Sequence, residues 1–565
     1  MKMRIEAGYR VDLTDGNVDL RSELLQLFGR QITKLLLDRP ELVKQGARVP
    51  LGSDESYWRF EGILPSPVCS GEYRSWDTRT DDRTCTDVLA RTKLSIDSAL
   101  QNEYKQGQSA TITRGILSSP RAMGKTPNPA WQVVVCLAFA TVVAAQNSSA
   151  GKYNGPGGCA SSSCHGSIQP RQITRVAQNE YSIWAGQDKH ARAYQVLSNP
   201  VSIRIGKILN IGRPDQAQKC LACHALSVPA EQRAESFELI DGVSCESCHG
   251  PASGWLGPHT TRDWPHEKSV QLGMYDTRDL IKRSERCLSC HLGTVEKFVD
   301  HQMIAAGHPD LTFELNLFTA VMPRHWKQPP DDAWRGVQEW GIGEAVQLQK
   351  GLERLARRAS SSTWPEYGEL DCFACHHSLT KAEDSWRQEL GYPGRKPGVP
   401  AWNGSRYVVF RHLVRKINAD VAIQLDADMV KLASLLGQPN PNSQDIAATA
   451  TRGAGFAGQI SRQLSAKTYD QSFTLGLMRA IVQDGESISG QGQRAAEQAA
   501  MSLDSLFVAY KQNAKAENES EIRESINGLF EQLDNPSAYN APRFAAQMQK
   551  VNSVLSRVGR EKASQ

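Results

Sequence analysis

Residues 219–251 read Lys219-CLACHALSVPAEQRAESFELIDGVSCESCHG-Pro251 and hold two copies of one short motif. These are Cys220-Leu-Ala-Cys223-His224 and Cys245-Glu-Ser-Cys248-His249. Cys-x-x-Cys-His is the attachment signature of a c-type haem: two thiols form thioether bonds to the porphyrin, and the adjoining imidazole reaches the iron. The motif recurs as Cys287-Leu-Ser-Cys290-His291 and Cys372-Phe-Ala-Cys375-His376. Cys159-Ala-Ser-Ser-Ser-Cys164-His165 is a variant with two extra spacer residues, short enough to bulge without moving the sulfurs. Structural zinc also uses Cys-x-x-Cys pairs, but it does not require a histidine directly after the second cysteine. Every Cys-x-x-Cys of this chain has one, although histidine is rare in it. The expectation is four regular haem c sites and a fifth at Cys159, Cys164 and His165.

The 565 residues leave room for more than one domain. Of thirteen cysteines, ten sit in the motifs, leaving Cys69, Cys85 and Cys136. No disulfide framework follows beyond a Cys69–Cys85 pairing. The formal charge is +4, but five haems would add up to about ten propionate charges. The basic residues therefore imply no nucleic-acid partner.

Taken in order, residues 1–122 carry no motif and no assignable function. Arg121 and Lys125 then precede an apolar run from Val133 to Ala145, closed by small residues. A basic start, a short apolar stretch and a small-residue end describe a signal peptide, here 123–145. The run is short for a membrane span, which needs ~20 apolar residues. Because signal peptides work at a terminus, residues 1–122 read as upstream over-translation. The rival reading is a cytoplasmic head on an uncleaved anchor. Residues 146–400 form the haem region, with much irregular loop and few long periodic segments. From 401 to 565 the pattern turns helical. Leu413, Ile417, Val421, Leu425, Met429, Leu432 and Leu436 predict one helix ending at Gly437. Further helices follow through Tyr469–Ile481, Ala496–Tyr510, Ile522–Leu533 and Phe544–Val558. The fold class is thus mainly α with much irregular loop: a multihaem cytochrome c domain followed by a C-terminal helical bundle.

Thirteen histidines permit a ligand count. His165, His224, His249, His291 and His376 belong to the motifs. The other eight are His190, His259, His266, His301, His308, His325, His377 and His412. An iron with two imidazoles relays electrons and offers no open position, whereas an iron lacking its sixth ligand can bind a small molecule. His266 and His412 read as hydrogen-bonded or surface residues. His377 follows His376 too closely to face the same iron.

Tyr181-SIWAGQDKHARA-Tyr194, Asp241-GVSCESCHG-Pro251 with His259 after it, and Val299-DHQMIAAGHPDLTFE-Leu315 resemble the multihaem cytochrome c-552/4 family. That family includes the tetrahaem electron acceptor of hydroxylamine oxidoreductase. The resemblance spans roughly 155–380 and implies that His190, His259 and His308 are distal ligands, with His301 and His325 following. This chain has five motifs where the tetrahaem relatives have four, and it lacks the Cys-x-x-Cys-Lys of related nitrite reductases. The expected function is an exported, periplasmic cytochrome that transfers electrons to and from redox partner proteins. Docking to a membrane complex would run through the C-terminal helices. The alternative is an oxidoreductase acting on a small nitrogen or sulfur compound at a five-coordinate haem.

Overall fold

A computed structural model describes residues 48–50, 57–59 and 151–558, apart from 328–332, 363, 373–374, 377–401, 439 and 516–517. The signal-like segment, the three cysteines outside the motifs and His377 lie outside the described residues, as does nearly all of 1–122. The chain divides into two compact units, residues 1–126 and 127–565. In the first, β1 (Arg48–Pro50) pairs antiparallel with β2 (Tyr57–Arg59), Val49 opposite Trp58.

The second unit is mainly α, joined by long irregular loops. Its first half carries short helices: α1 (Glu180–Gln187), α2 (Pro200–Ile208), α3 (Gln218–His224), α4 (Cys245–His249) and α5 (His266–Gln271). Next come α6 (Leu280–His291), α7 (His301–Ala306), α8 (Leu315–Val321) and the 25-residue α9 (Arg335–Ala359). The remainder is α10 (Ser405–Val408), α11 (Phe410–Ile417), α12 (Ala419–Leu436), α13 (Ser443–Ser465), α14 (Gln471–Gln483), α15 (Gly485–Gly490), α16 (Gln493–Asn513), α17 (Glu519–Glu531) and α18 (Ala541–Arg557). Side-chain caps set many of the starts. Asp279 accepts from the Ile281 and Lys282 N–H groups at α6, Asp300 from Met303 at α7, and Asn442 from Gln444 and Asp445 at α13.

The long helices α9 and α13 were not expected from apolar spacing. They pack along their length, with small residues of α13 turned to α9. A Cβ on Gly453 would meet Leu352 Cδ1 and Met429 Cε at 3.0 Å, and one on Gly458 would meet Gln349 Oε1 at 2.9 Å. The single helix expected from Leu413 to Leu436 is instead two. Asn418 leaves helical geometry (φ −155°, ψ 100°) and caps α12 by accepting from the Val421 N–H. The apolar spacing runs across this break and hides it.

One apolar core extends from Leu280 and Leu288 on the fourth haem-motif helix through α9 to Leu555 near the C-terminus. The helices on either side of the composition change at 400/401 therefore share a core. Polar ties follow the same route: Gln498 on α16 donates to Glu344 on α9 (2.6 Å), and Asn316 on α8 donates to Ser505 on α16 (3.0 Å). Among the described residues no helix is long and apolar enough to cross a membrane. Phe507 is fully buried in this core. Phe507→Ala is expected to lower the unfolding free energy by about 3–5 kcal/mol through lost burial and a residual cavity, measured by chemical denaturation of the helical signal.

Candidate haem-binding site

The regular motifs occupy the last turns of helices. In α3, α4 and α6 the final five residues are Cys-x-x-Cys-His. Positions i, i+3 and i+4 share one helix face, so both thiols and the imidazole point the same way. The fifth motif closes the same turn, with Cys375 N–H and His376 N–H both donating to Cys372 O (3.2 and 2.8 Å). The long-spaced motif begins in a 3-10 turn, Pro156–Cys159. Its extra residues form a tight loop in which Cys164 N–H donates to Ser161 O and His165 N–H reaches back to Cys159 O (3.1 Å). The insertion is absorbed as a bulge. All ten motif thiols are free of disulfides.

The imidazoles come in opposed pairs. Ring centres lie 6.1 Å apart for His165 and His259, and 6.2 Å for His291 and His190. His224 and His308 are 6.3 Å apart, and His376 and His301 are 6.2 Å apart. Imidazole–metal bonds run about 2.0–2.1 Å, and a ring centre sits about 1.1 Å behind its nitrogen, so two imidazoles on opposite sides of one metal have centres about 6.2–6.4 Å apart. The observed separations fit that arrangement, and the adjoining thiol pairs supply the donor set of a thioether-bound porphyrin. His249 is half-buried, and desolvation pushes its imidazole down to about 4, with His325 first among the charges acting on it, ahead of His165 and His266.

The tautomers separate ligand-like imidazoles from others. His165 Nδ1 pairs with Glu180 (2.8 Å), His190 Nδ1 with Asp188 (3.0 Å), and His224 Nδ1 donates to Ala193 O (3.0 Å). His259 Nδ1 donates to Leu256 O (2.6 Å), His308 Nδ1 to Pro309 O (2.8 Å) and His325 Nδ1 to Pro323 O (3.1 Å). In each the distant nitrogen is left to a metal, and a hydrogen bond from the other nitrogen is how proteins orient an imidazole ligand. The reverse holds at His266 and His412, whose Nε2 atoms are engaged by Asp276 (2.9 Å) and Asp484 (3.0 Å). Both match the non-ligand reading of the sequence. Of the arginines near the motifs, Arg283 is held by Glu339 (3.0 Å).

Several supporting residues carry no sequence signal. Glu246 occupies a variable position inside the third motif, yet it is only 2% exposed and accepts from Asn154, Gly155 and Ala252 N–H groups. It fastens the strand leading into the first motif onto the third. The Cys159 and Cys245 thiols accordingly lie within hydrogen-bonding reach of each other. Cys223 and Cys290 do likewise, joining the second motif to the fourth. Lys297 bridges the same two motifs, its Nζ 3.3 Å from Ala222 O and 3.2 Å from Cys290 Sγ. Helix α7 carries His301 at its start and is followed by His308, so one short element faces both the fifth and the second motif.

The pairs differ in mutual ring angle. His165/His259 and His376/His301 are near parallel (4° and 27°), whereas His291/His190 and His224/His308 are near perpendicular (90° and 86°). Parallel axial planes split the iron d orbitals and perpendicular planes leave them nearly degenerate. Electron paramagnetic resonance of the oxidised protein is expected to give both rhombic and strongly axial low-spin signals. A spectrum containing one class alone would contradict these angles.

Residues 159–250, which hold the first three motifs, match the family described as cytochrome c554 and c-prime. The chain is also similar to cytochrome c-554 of Nitrosomonas europaea, 34% identical over 86 residues. That alignment covers 14% of this chain and 36% of the relative, so the chain spans about a third of the length of the protein it matches. No solved structure matches. Residues 159–250 are therefore similar to multihaem c-type cytochromes of the c-554 type, a likeness that implies haem c at the motifs they hold.

Proposed function

We propose that this chain is an exported pentahaem c-type cytochrome that relays electrons between redox partner proteins. One observation carries the reading: four of the five motif imidazoles have a second imidazole at the separation two ligands of one metal would take, 6.1–6.3 Å. For His249 the partner we assign is His325, which acts on its ring electrostatically. Haem c supplies a one-electron iron couple whose potential depends on axial ligands, hydrogen bonds and burial. The chain's own residues do the rest. His165, His224, His249, His291 and His376 serve as proximal ligands, opposed by His259, His308, His325, His190 and His301. Carboxylates and carbonyls on the Nδ1 atoms of His165, His190, His224, His259, His308 and His325 keep those rings aligned, so a change of iron charge meets little rearrangement. Contacts between the first and third motifs, and between the second and fourth, with α7 linking the second to the fifth, keep the attachment points adjacent.

Export follows from the signal-like segment 123–145 and from the c-type attachment chemistry. The thiol motifs within 146–400 and the helices of 401–565 as a docking surface for a membrane complex belong to the same proposal, the two stretches sharing one core.

The pyridine haemochrome of the purified protein is expected to give five haems per chain, resistant to acid acetone, with a wholly low-spin spectrum. A high-spin fraction that binds nitrite, hydroxylamine or carbon monoxide would favour an oxidoreductase with an open iron instead. His259→Ala should convert one haem of the five to a high-spin, carbon monoxide-binding form. His266→Ala and His412→Ala should leave the spectrum unchanged, and a loss of low-spin character in either would break the ligand assignment.

A further inference from the structure

Three arginines from three helices converge on one cavity in the second unit. Arg354 of α9, Arg406 of α10 and Arg494 of α16 line a small, partly open space, together with Leu292, Val299 and Asp310. Two of these cations are matched. Arg354 forms a bidentate pair with Glu369 (2.6 and 2.9 Å), both side chains almost wholly buried, and Arg494 pairs with Asp310. Arg406 is different. Its Nε is buried and has no hydrogen-bond partner among the described residues. Burial, with Arg354 next, pushes its guanidinium down to about 10. The position is nonetheless built. Gly351 on α9 leaves room for the side chain, where a Cβ would stand 3.2 Å from Arg406 Cδ. Glu369 and Asp310 are the carboxylates that act on Arg406, and each is already paired with another arginine; three guanidiniums against two carboxylates leave one cation in excess, which an anion would balance.

The walls say where that anion comes from. Leu292 follows His291, Asp310 lies two residues after His308, Val299 lies two before His301, and Arg494 acts electrostatically on the Cys372 thiol. The cavity therefore sits beside the end of the fourth motif and the segment that carries His301 and His308, within electrostatic reach of Cys372. We propose that it is a carboxylate site, and that a propionate of one of the haems tethered around it occupies the site, held by Arg406 with Arg354 and Arg494. Guanidinium forks match carboxylates in geometry as well as charge. The pairing would fix the orientation of that haem against the C-terminal helices and keep its propionate ionised. It would also set the haem's potential through a charge the helical half contributes. The proposal rests on the multihaem reading above.

The test uses the full-length holoprotein as wild type, Arg406→Gln and Arg406→Lys, titrated spectroelectrochemically between pH 6 and 8, with haem content measured on each sample. Removing a cation beside a haem favours its oxidised form and lets the propionate take up a proton near neutrality. In Arg406→Gln one resolved haem should therefore titrate at lower potential than in wild type and become pH-dependent, while Arg406→Lys stays close to wild type. Wild type itself should show at least one haem whose potential is independent of pH across this range. The proposal fails if Arg406→Gln leaves every potential and every pH dependence unchanged, or if all wild-type haems are pH-dependent. It also fails if added nitrite or sulfate shifts a wild-type haem saturably and Arg406→Gln abolishes that shift, since the ligand is then a free oxyanion. A haem count below five in wild type would instead count against the multihaem reading.

Discussion

Two imidazoles that are to share one metal must present their nitrogens across a gap of fixed width, and the separations of four histidine pairs in this chain meet that requirement. A proximal histidine is easy to place, because the last turn of a helix aligns it with its two thiols. Its opposite number must arrive from elsewhere at the same height and angle. The protein achieves this with short elements rather than long ones. His190 sits in a single 3-10 turn capped by Asp188, His259 in another after Pro258, and His301 at the first position of a six-residue helix. Each is steadied by a hydrogen bond to its own neighbourhood, through backbone or ring. Such small units can be set at different angles, which accounts for parallel rings at some pairs and crossed rings at others.

Short elements cannot stabilise themselves, so the rigidity must come from beneath them. It comes from α9, which packs against the fourth motif helix on one side and the C-terminal helices on the other. Arg354 near its end illustrates the coupling. The side chain is bound by Glu369, stacks on Phe298 and donates to the carbonyl of Leu292, next to His291. A displacement of α9 would be felt at His291 through one side chain. The buried Arg354–Glu369 pair is not a cheap source of stability, since both charges lose their water. Its geometry serves to join the two halves at a defined place.

The helical half is thus more than an appendage that follows a haem domain. Its residues Arg406, Arg494 and Gln498 reach towards the motifs, and its leucines and phenylalanines complete the core begun by Leu280 and Leu288. The composition change near residue 400 marks where the thiol motifs stop. It does not mark where the packing stops, because burial depends on which surfaces meet and not on their order along the chain.

The sequence by itself determined what is local. Cys-x-x-Cys-His implies a thiol–thiol–imidazole face wherever a helical turn forms, and leucine periodicity implies α14, α16, α17 and α18. The five opposed histidines could be named as candidates, yet nothing in their spacing said that His190 meets His291 or that His259 meets His165. Those contacts join distant parts of the chain and depend on the whole fold. Only the tertiary structure decided them, together with the roles of Glu246 and Arg406, which look like ordinary surface charges until burial removes their water. It also decided how α9 and α13 pair, because the small residues Gly453 and Gly458 of α13 let the two helices approach closely only once the fold sets them side by side.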